Sequence, residues 1–84
     1  MTTVSVGDYV TVTGWPHQWA HGCVFRVTEA DHNRGLFRGA VVVPTGEARM
    51  GSESVLAMRN AKIANALYIL AAIKAYRKRH ESTR

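Results

Sequence analysis

The chain has 84 residues, of which 46% are hydrophobic, so it is long enough for one small domain and too apolar to be disordered by default. Its most apolar run, residues 66 to 73, falls far short of the ~20 residues of a membrane span, and no basic stretch followed by a long apolar core opens the chain. The formal net charge is +5 and Cys23 is the single cysteine, which excludes an internal disulfide and predicts a soluble, cytoplasmic protein.

The first half of the chain predicts short strands joined by tight turns. Residues 4 to 13 alternate valine with polar or aromatic residues and contain a turn at Gly7-Asp8, which is typical of a half-buried strand. Further strands are predicted at residues 23 to 29, 36 to 43 and 47 to 50.

Glycine-containing turns separate these strands. The hairpin turn at residues 31 to 35 contains Asn33 and Gly35, both of which suit a positive φ. Gly39, inside the third strand, predicts a bulge or a sharp bend. Residues 44 to 46 (PTG) predict the turn that leads to the fourth strand.

The second half of the chain predicts helix. A first helical turn is expected at residues 53 to 58, and Asn60 is positioned to cap a long helix over residues 61 to 79, which contain neither Gly nor Pro. The pattern leaves open whether residues 54 to 79 form one helix or two. At 1.5 Å per residue the long helix would measure about 30 Å, so we expect its end to project beyond the sheet.

The apolar residues of this helix are too many for one face. Ile63, Leu67 and Leu70 lie on one side and are expected to cover the sheet, which is too small to bury its own apolar surface well. A second set lies away from them and predicts self-association into a homodimer through paired helices. This second set is Tyr68, Ile69, Ala72 and Tyr76.

The positive charge belongs to the last third of the chain. Residues 1 to 58 carry four basic and five acidic residues, a net charge of −1, whereas residues 59 to 84 carry seven basic and one acidic residue, a net charge of +6. The densest basic cluster is Lys74, Arg77, Lys78 and Arg79. It predicts contact with nucleic-acid phosphates or with an acidic protein surface, the other interpretation being a solvated helix end whose cations oppose the helix dipole.

Four or five short strands in about fifty residues predict a small barrel or a curled sheet. The chain resembles the SH3-like barrels, particularly the KOW type, in residues 7 to 14 (GDYVTVTG), in Gly22 leading into residues 24 to 27, in the Asn33-Gly35 hairpin and in the turn at residues 52 to 55. The resemblance implies an α+β, mainly β fold with a barrel of four to five strands and a long C-terminal α-helix.

On this resemblance, residues 1 to 58 form the barrel and residues 59 to 84 the helix with its basic end. Such barrels bind RNA, DNA or peptides and are not catalysts. The barrel charge of −1 departs from the nucleic-acid-binding members, so the helix is the expected contact. The size of the chain and its Ala, Val, Gly and Arg content also resemble short proteins of high-GC bacteria and their phages.

The loop after the first strand carries Trp15, His17 and Trp19, at the place where SH3-like folds have a ligand-contacting loop. Indole rings can stack on bases or on proline-rich segments. We expect one indole to close the open end of the barrel and the other to contact a ligand.

The spacing of His17, His21 and Cys23 (H-x3-H-x-C) raises the question of a metal site, with His32 as a distant fourth donor. Zinc sites usually show paired donors on both sides of a turn, and Cys23 lies in a predicted strand, where it is better explained as a small buried apolar residue. Cys23 with a nearby His is also the nearest approach to a nucleophile–base pair, and no Gly-rich phosphate loop precedes a helix. We predict no metal, no cofactor and no enzymatic activity.

The sequence therefore predicts a non-enzymatic binding module that contacts nucleic acid through its basic helix end and its Trp-bearing loop. The alternative is a protein–protein adaptor of a phage or host complex, which would use Trp15, Trp19 and the helix face.

Overall fold

The computed structural model describes residues 3–14, 17–46 and 48–81. Within them the chain forms strands, 3₁₀ turns and one α-helix in the order that follows. The strands are β1 (Tyr9–Val12), β2 (Val24–Asp31), β3 (Leu36–Val43), β4 (Glu53–Ala57) and β5 (Ala61–Ile63), the 3₁₀ turns are Gln18–Ala20 and Met58–Asn60, and the helix α1 is Ala66–Glu81.

The strands form one antiparallel sheet in the order β4-β3-β2-β1-β5. Strands β1 to β4 follow one another as a meander, and β5 returns to pair with β1. Strands β4 and β5 are the two edges, so the sheet is not closed. The predicted α+β, mainly β class is confirmed: a small five-stranded sheet is followed by one C-terminal helix.

Alternation along the strands places about every second side chain in a common hydrophobic core. In β1, for example, Val10 and Val12 are fully buried, whereas Tyr9 is 40% exposed. The core cluster consists of Val4, Val10, Val12, Ala20, Cys23, Phe25, Val27, Phe37, Val41, Leu56, Met58 and Ala61. Because every strand contributes residues to this cluster, the hydrophobic core is formed mainly by the sheet.

Strands β2 and β3 form the predicted hairpin. In its turn the Asp31 carboxylate accepts a hydrogen bond from the backbone N–H of Arg34 at 3.2 Å, and Gly35 has a φ of +67°. Asn33 was also predicted to suit a positive φ, but no described residue other than glycine has one. Gly35 is thus the residue of this turn that adopts the left-handed backbone conformation.

Gly39 predicts a bulge or bend in β3, but the β-bulge lies opposite it, in the partner strand β2. Pairing shifts by one residue between Val27 and Glu29, which makes Thr28 the extra residue of a β-bulge. At Gly39 itself a Cβ atom would lie 3.1 Å from the Phe25 Cβ. This glycine therefore allows the two strands to pack closely around the aromatic ring.

Three predicted elements in the second half of the chain are wrong. Residues 53 to 58 were predicted as a helical turn, but Glu53–Ala57 is strand β4. Residues 61 to 63 were predicted inside the helix, but they form β5 against β1. The strand predicted at residues 47 to 50 is not formed by residues 48 to 50, which lie in a loop, and Glu47 is outside the described residues. Pairing with an open sheet edge satisfies backbone groups and overrides local helix propensity.

The predicted first strand is also shorter than expected. It begins at Tyr9, after a turn in which Gly7 has a φ of +94°. Val4 is nevertheless fully buried, and its carbonyl lies 2.7 Å from Nε2 of His32. Val6, which shares the parity of Val4, is 66% exposed because the turn breaks the alternation.

Candidate functional site

Helix α1 begins at Ala66, later than predicted, because Asn65 caps it. The Asn65 side-chain oxygen accepts a hydrogen bond from the backbone N–H of Tyr68 at 2.8 Å. Asn60, the predicted cap, donates its side-chain amide to the Thr13 carbonyl at 2.7 Å instead. The helix is therefore one segment that starts after β5, which answers whether residues 54 to 79 form one helix or two.

The two sides of α1 differ in exposure. The half-buried side chains are spaced by three and four residues and share one side: Ile69, Ala72, Ile73 and Tyr76. On the other side Leu67 is 79% exposed and Leu70 is 55% exposed, and Ile63 in β5 is 46% exposed. The expectation that these three residues cover the sheet is wrong. Periodicity relates the side chains of a helix to one another, but the strand leading into the helix sets which side meets the sheet.

The side of α1 that meets the sheet also decides how exposed the residues predicted for self-association are. Ile69, Ala72 and Tyr76 are half-buried, and Tyr68 is 45% exposed. In and next to α1 the exposed large apolar side chains are Leu67 and Leu70, with Ile63 and Tyr68 exposed to a similar, smaller extent. Self-association through α1 stays a prediction, and the structure places its apolar surface on a different side of the helix.

Three of the four residues predicted to bind phosphate share the exposed side of α1. We call Lys74, Arg77 and Lys78 the cationic trio; each is exposed, and none forms an ion pair with a side chain that the structure describes, a set that excludes those of His80 and Glu81. Arg79 points elsewhere, since its Nη2 donates a hydrogen bond to the Pro44 carbonyl at 3.2 Å. The predicted cluster is thus divided, and the helix end contacts the β3–β4 loop rather than projecting freely.

The charged residues of the sheet are arranged differently. Arg34 lies 3.8 Å from the Asp31 carboxylate and Arg38 lies 3.9 Å from the Glu29 carboxylate, in exposed ion pairs. Such pairs contribute little to stability, but each cation has an acid beside it. Exposed cations without an ion-pair partner among the described side chains also lie outside α1, at Arg26, Arg49, Arg59 and Lys62, but α1 places three such cations on one side of a single helix.

Of the two tryptophans of the predicted ligand loop, Trp15 lies outside the described residues. Trp19 lies in the 3₁₀ turn and is 49% exposed. Its ring meets the Phe25 ring edge-to-face, with 6.2 Å between centroids and 86° between planes. One edge of this indole therefore packs on the core while about half of its surface faces solvent.

His17, the third residue of the predicted ligand loop, is buried and has a structural contact. Its Nε2 accepts a hydrogen bond from the backbone N–H of Ala57 at 3.2 Å, so this nitrogen carries no proton. Burial and, to a smaller extent, the positive charge of Arg59 lower the pKa of His17. The neutral ring thus ties the loop to β4 and is not exposed to a ligand.

The thiol considered as a metal ligand is also engaged. Cys23 is fully buried; its Sγ lies 3.1 Å from the Thr45 Oγ1 and accepts a hydrogen bond from the Thr45 N–H at 3.3 Å. The Thr45 hydroxyl donates to the His21 carbonyl at 2.7 Å. Among the residues that the structure describes, no group of three or more His, Cys, Asp or Glu side chains is placed to hold a metal ion.

An open depression of about 450 Å³ lies between the β3–β4 loop and the C-terminal part of α1. Its lining includes Pro44, Gly46, Arg49, Met50, Tyr76 and Arg79. Sequence reasoning grouped Tyr76 with the basic helix end but missed Arg49 and Met50. No local pattern could have found them, because the loop and the helix are far apart along the chain and meet only in the fold.

In the described part of the chain, no helix has both the length and the apolar character needed to cross a membrane. Comparisons with protein-family models, with curated proteins and with solved structures find no match to this chain. The support for a function thus comes from its own side chains and their geometry.

Proposed function

We propose that this protein is a non-enzymatic nucleic-acid-binding module in which a small SH3-like barrel carries a cationic helix. The observation that carries the proposal is the cationic trio: three exposed bases on one side of α1 with no ion-pair partner among the described side chains. Phosphodiester groups are strongly attracted to such a row of cations. The single, free and buried Cys23 supports a cytoplasmic location.

The strand order supports the SH3-like part of the proposal. Five short antiparallel strands, of which the fifth pairs with the first, agree with the four to five strands that the resemblance to SH3-like barrels implies. In that scheme the loop with Trp19 is the long connection between the first two strands. Its half-exposed indole is available as a second contact for a ligand.

The trio favours contacts to the nucleic-acid backbone. Lys74 is three residues from Arg77 and four from Lys78, so its Cβ atom lies about 5–6 Å from each of theirs on one side of the helix. Lys and Arg at such spacing can follow a row of phosphates. Because this side presents no Asn or Gln to read base edges, binding is expected to be largely independent of sequence.

Titration of labelled duplex and single-stranded oligonucleotides at about 50 mM and about 200 mM salt tests the proposal. If three phosphates are contacted, the logarithm of duplex affinity should fall against the logarithm of salt concentration with a slope of about −2.7, at roughly 0.9 per phosphate. Absence of binding to both oligonucleotides at the lower salt concentration would refute the proposal.

Two double variants that lose the same charge distinguish the effect of the trio on oligonucleotide binding from the effect of net charge. Lys74→Gln with Lys78→Gln should reduce the slope to about −0.9, because roughly one phosphate contact remains. Arg34→Gln with Arg38→Gln removes the same charge from the hairpin, where both residues are ion-paired, and should bind nearly as the parent does. Equal losses in both variants would mean that net charge alone governs binding.

Self-association belongs to the proposal through the uncovered apolar residues Ile63, Leu67 and Leu70. A two-fold contact centred on the leucines would leave the trio of each copy at opposite ends and double the number of phosphate contacts. Light scattering is expected to show a dimer that Leu67→Lys dissociates. A monomer at high micromolar concentration would remove this part of the proposal.

A second candidate function, a protein–protein adaptor, is favoured by the exposed apolar surface of Trp19 and Leu67. It predicts salt-insensitive binding of a polypeptide. Under this alternative Trp19→Ala should weaken binding more than Lys78→Ala. The nucleic-acid proposal predicts the reverse order.

A further inference from the structure

The depression between the β3–β4 loop and α1 combines two guanidinium groups with an aromatic ring. Arg49 and Met50 come from the loop, and Tyr76 and Arg79 come from the helix. Its volume of about 450 Å³ lies within the range of small-ligand sites. The site is open, so a ligand that is part of a longer chain can enter and leave it.

The charge around the depression is positive. Among the described residues that line it, the charged ones are Arg49 and Arg79, and both are cations. Arg79 is held at the site by its hydrogen bond to the Pro44 carbonyl at 3.2 Å. A cation that is already positioned loses less side-chain entropy on binding an anion.

The apolar part of the depression suits a flat ligand. Tyr76 is half-buried, so part of its side chain packs on the domain, and Met50, which is 58% exposed, lines the same depression. An aromatic ring offers a stacking surface for any nucleobase, and the thioether of a methionine adapts to a planar neighbour. Guanidinium groups match the geometry of phosphate oxygens.

We infer that this depression binds one nucleotide of a single strand, with the base against Tyr76 and Met50 and a phosphate at Arg49 and Arg79. The inference rests on the proposed function and adds a preference for single strands. In a duplex the bases are paired and stacked, so a duplex can contact the cationic trio but cannot place a base on Tyr76.

Fluorescence anisotropy with an oligothymidylate of about 12 nucleotides and a duplex of the same length tests the inference. Tyr76→Leu, which keeps apolar packing but removes the ring, should weaken binding of the single strand about 5- to 100-fold and leave duplex binding unchanged. Tyr76→Phe keeps the ring and should bind as the parent does. Circular dichroism verifies that each variant is folded.

Substitution of Arg49, the cation in the β3–β4 loop, provides a second test that leaves the helix sequence unchanged. Arg49→Gln should weaken single-strand binding more than duplex binding, whereas Arg26→Gln, which removes an exposed cation from the sheet, should weaken neither selectively. Photocrosslinking of a strand that contains iodouridine should map to Tyr76. Crosslinks confined to the tryptophans would overturn the inference.

The two proposals fail in different ways. Binding of both oligonucleotides that is untouched by Tyr76→Leu and Arg49→Gln would overturn the single-strand site and leave the trio intact. Binding of neither oligonucleotide would overturn both.

Discussion

The sheet and helix α1 differ in what their side chains do. The core cluster is built from the strands and the segments that flank them, and among residues 66 to 79 no side chain is fully buried. The arrangement of charge differs as well, since α1 gathers three cations on one side without an ion-pair partner among the described side chains, whereas Arg34 and Arg38 in the hairpin each have an acidic partner. The difference indicates that the sheet supplies most of the stability of this protein, while α1 presents the exposed side on which the proposed phosphate contacts lie.

A matched pair of leucines tests this division most strongly. Leu56 in β4 is fully buried and Leu67 in α1 is 79% exposed. Leu56→Ala should lower the free energy of unfolding by about 2–5 kcal/mol, whereas Leu67→Ala should change it by less than about 0.5 kcal/mol. Urea denaturation measures both.

A large loss of stability in Leu67→Ala would contradict the division, unless it depends on protein concentration. A concentration-dependent loss would indicate that a second copy covers the exposed leucine.

The helix cap gives the next largest effect. Asn65→Ala removes the acceptor of the Tyr68 N–H and should cost about 1 kcal/mol, because a helix N-terminus has few other partners for its amides. Asn33→Ala, at an exposed turn position without positive φ, is the control and should be nearly neutral. Thermal unfolding followed by circular dichroism distinguishes them.

The buried histidine predicts a dependence on pH within the sheet. Because the pKa of His17 is lowered by folding, the unfolded chain takes up a proton below about pH 6.5 that the folded chain does not. Stability contributed by the neutral ring is therefore complete above that pH and declines as the pH falls toward the folded-state pKa.

Denaturation curves between about pH 7.5 and pH 5 test this direction. His17→Gln should flatten the decline, since an amide oxygen can accept from the Ala57 N–H without titrating. His21→Gln, on an exposed residue of the same loop, should not flatten it. A decline of equal slope in all three proteins would assign it to other groups.

The smallest effect on stability is expected from the cationic trio. Lys74→Gln with Lys78→Gln should change the free energy of unfolding by less than about 0.5 kcal/mol, because relief of repulsion at a spacing of four offsets the lost interaction with the helix dipole. The same variant is expected to lose most of its salt-dependent binding to oligonucleotides. Stability and binding would then be separated between the two regions.

Much of the sheet was predictable because its information is local. Alternating valines predicted β1, the run of residues 36 to 43 predicted β3, and the turn at residues 31 to 35 predicted the hairpin between β2 and β3, although of Asn33 and Gly35 only Gly35 has a positive φ. Strands β4 and β5 were missed, because short segments with helix-forming residues become strands only when a neighbouring edge pairs with them.

The candidate site was predictable in composition but not in arrangement. Spacing placed Lys74, Arg77 and Lys78 on one side of a helix, and the structure keeps them together on the exposed side. Spacing could not show that Arg79 turns to Pro44 or that His17 is buried against β4. Both contacts join residues that are distant along the chain.

The sequence by itself determined the class of fold, the position of the hairpin and the concentration of positive charge in the last third of the chain, because these depend on periodicity, turn residues and counts. The tertiary structure alone decided where α1 begins, which of its sides meets the sheet, and that Arg49 and Tyr76 line one depression. The physical reason for these differences is the pairing of β5 with β1. The first residues of the expected helix form β5, and the helix that follows therefore contacts β3.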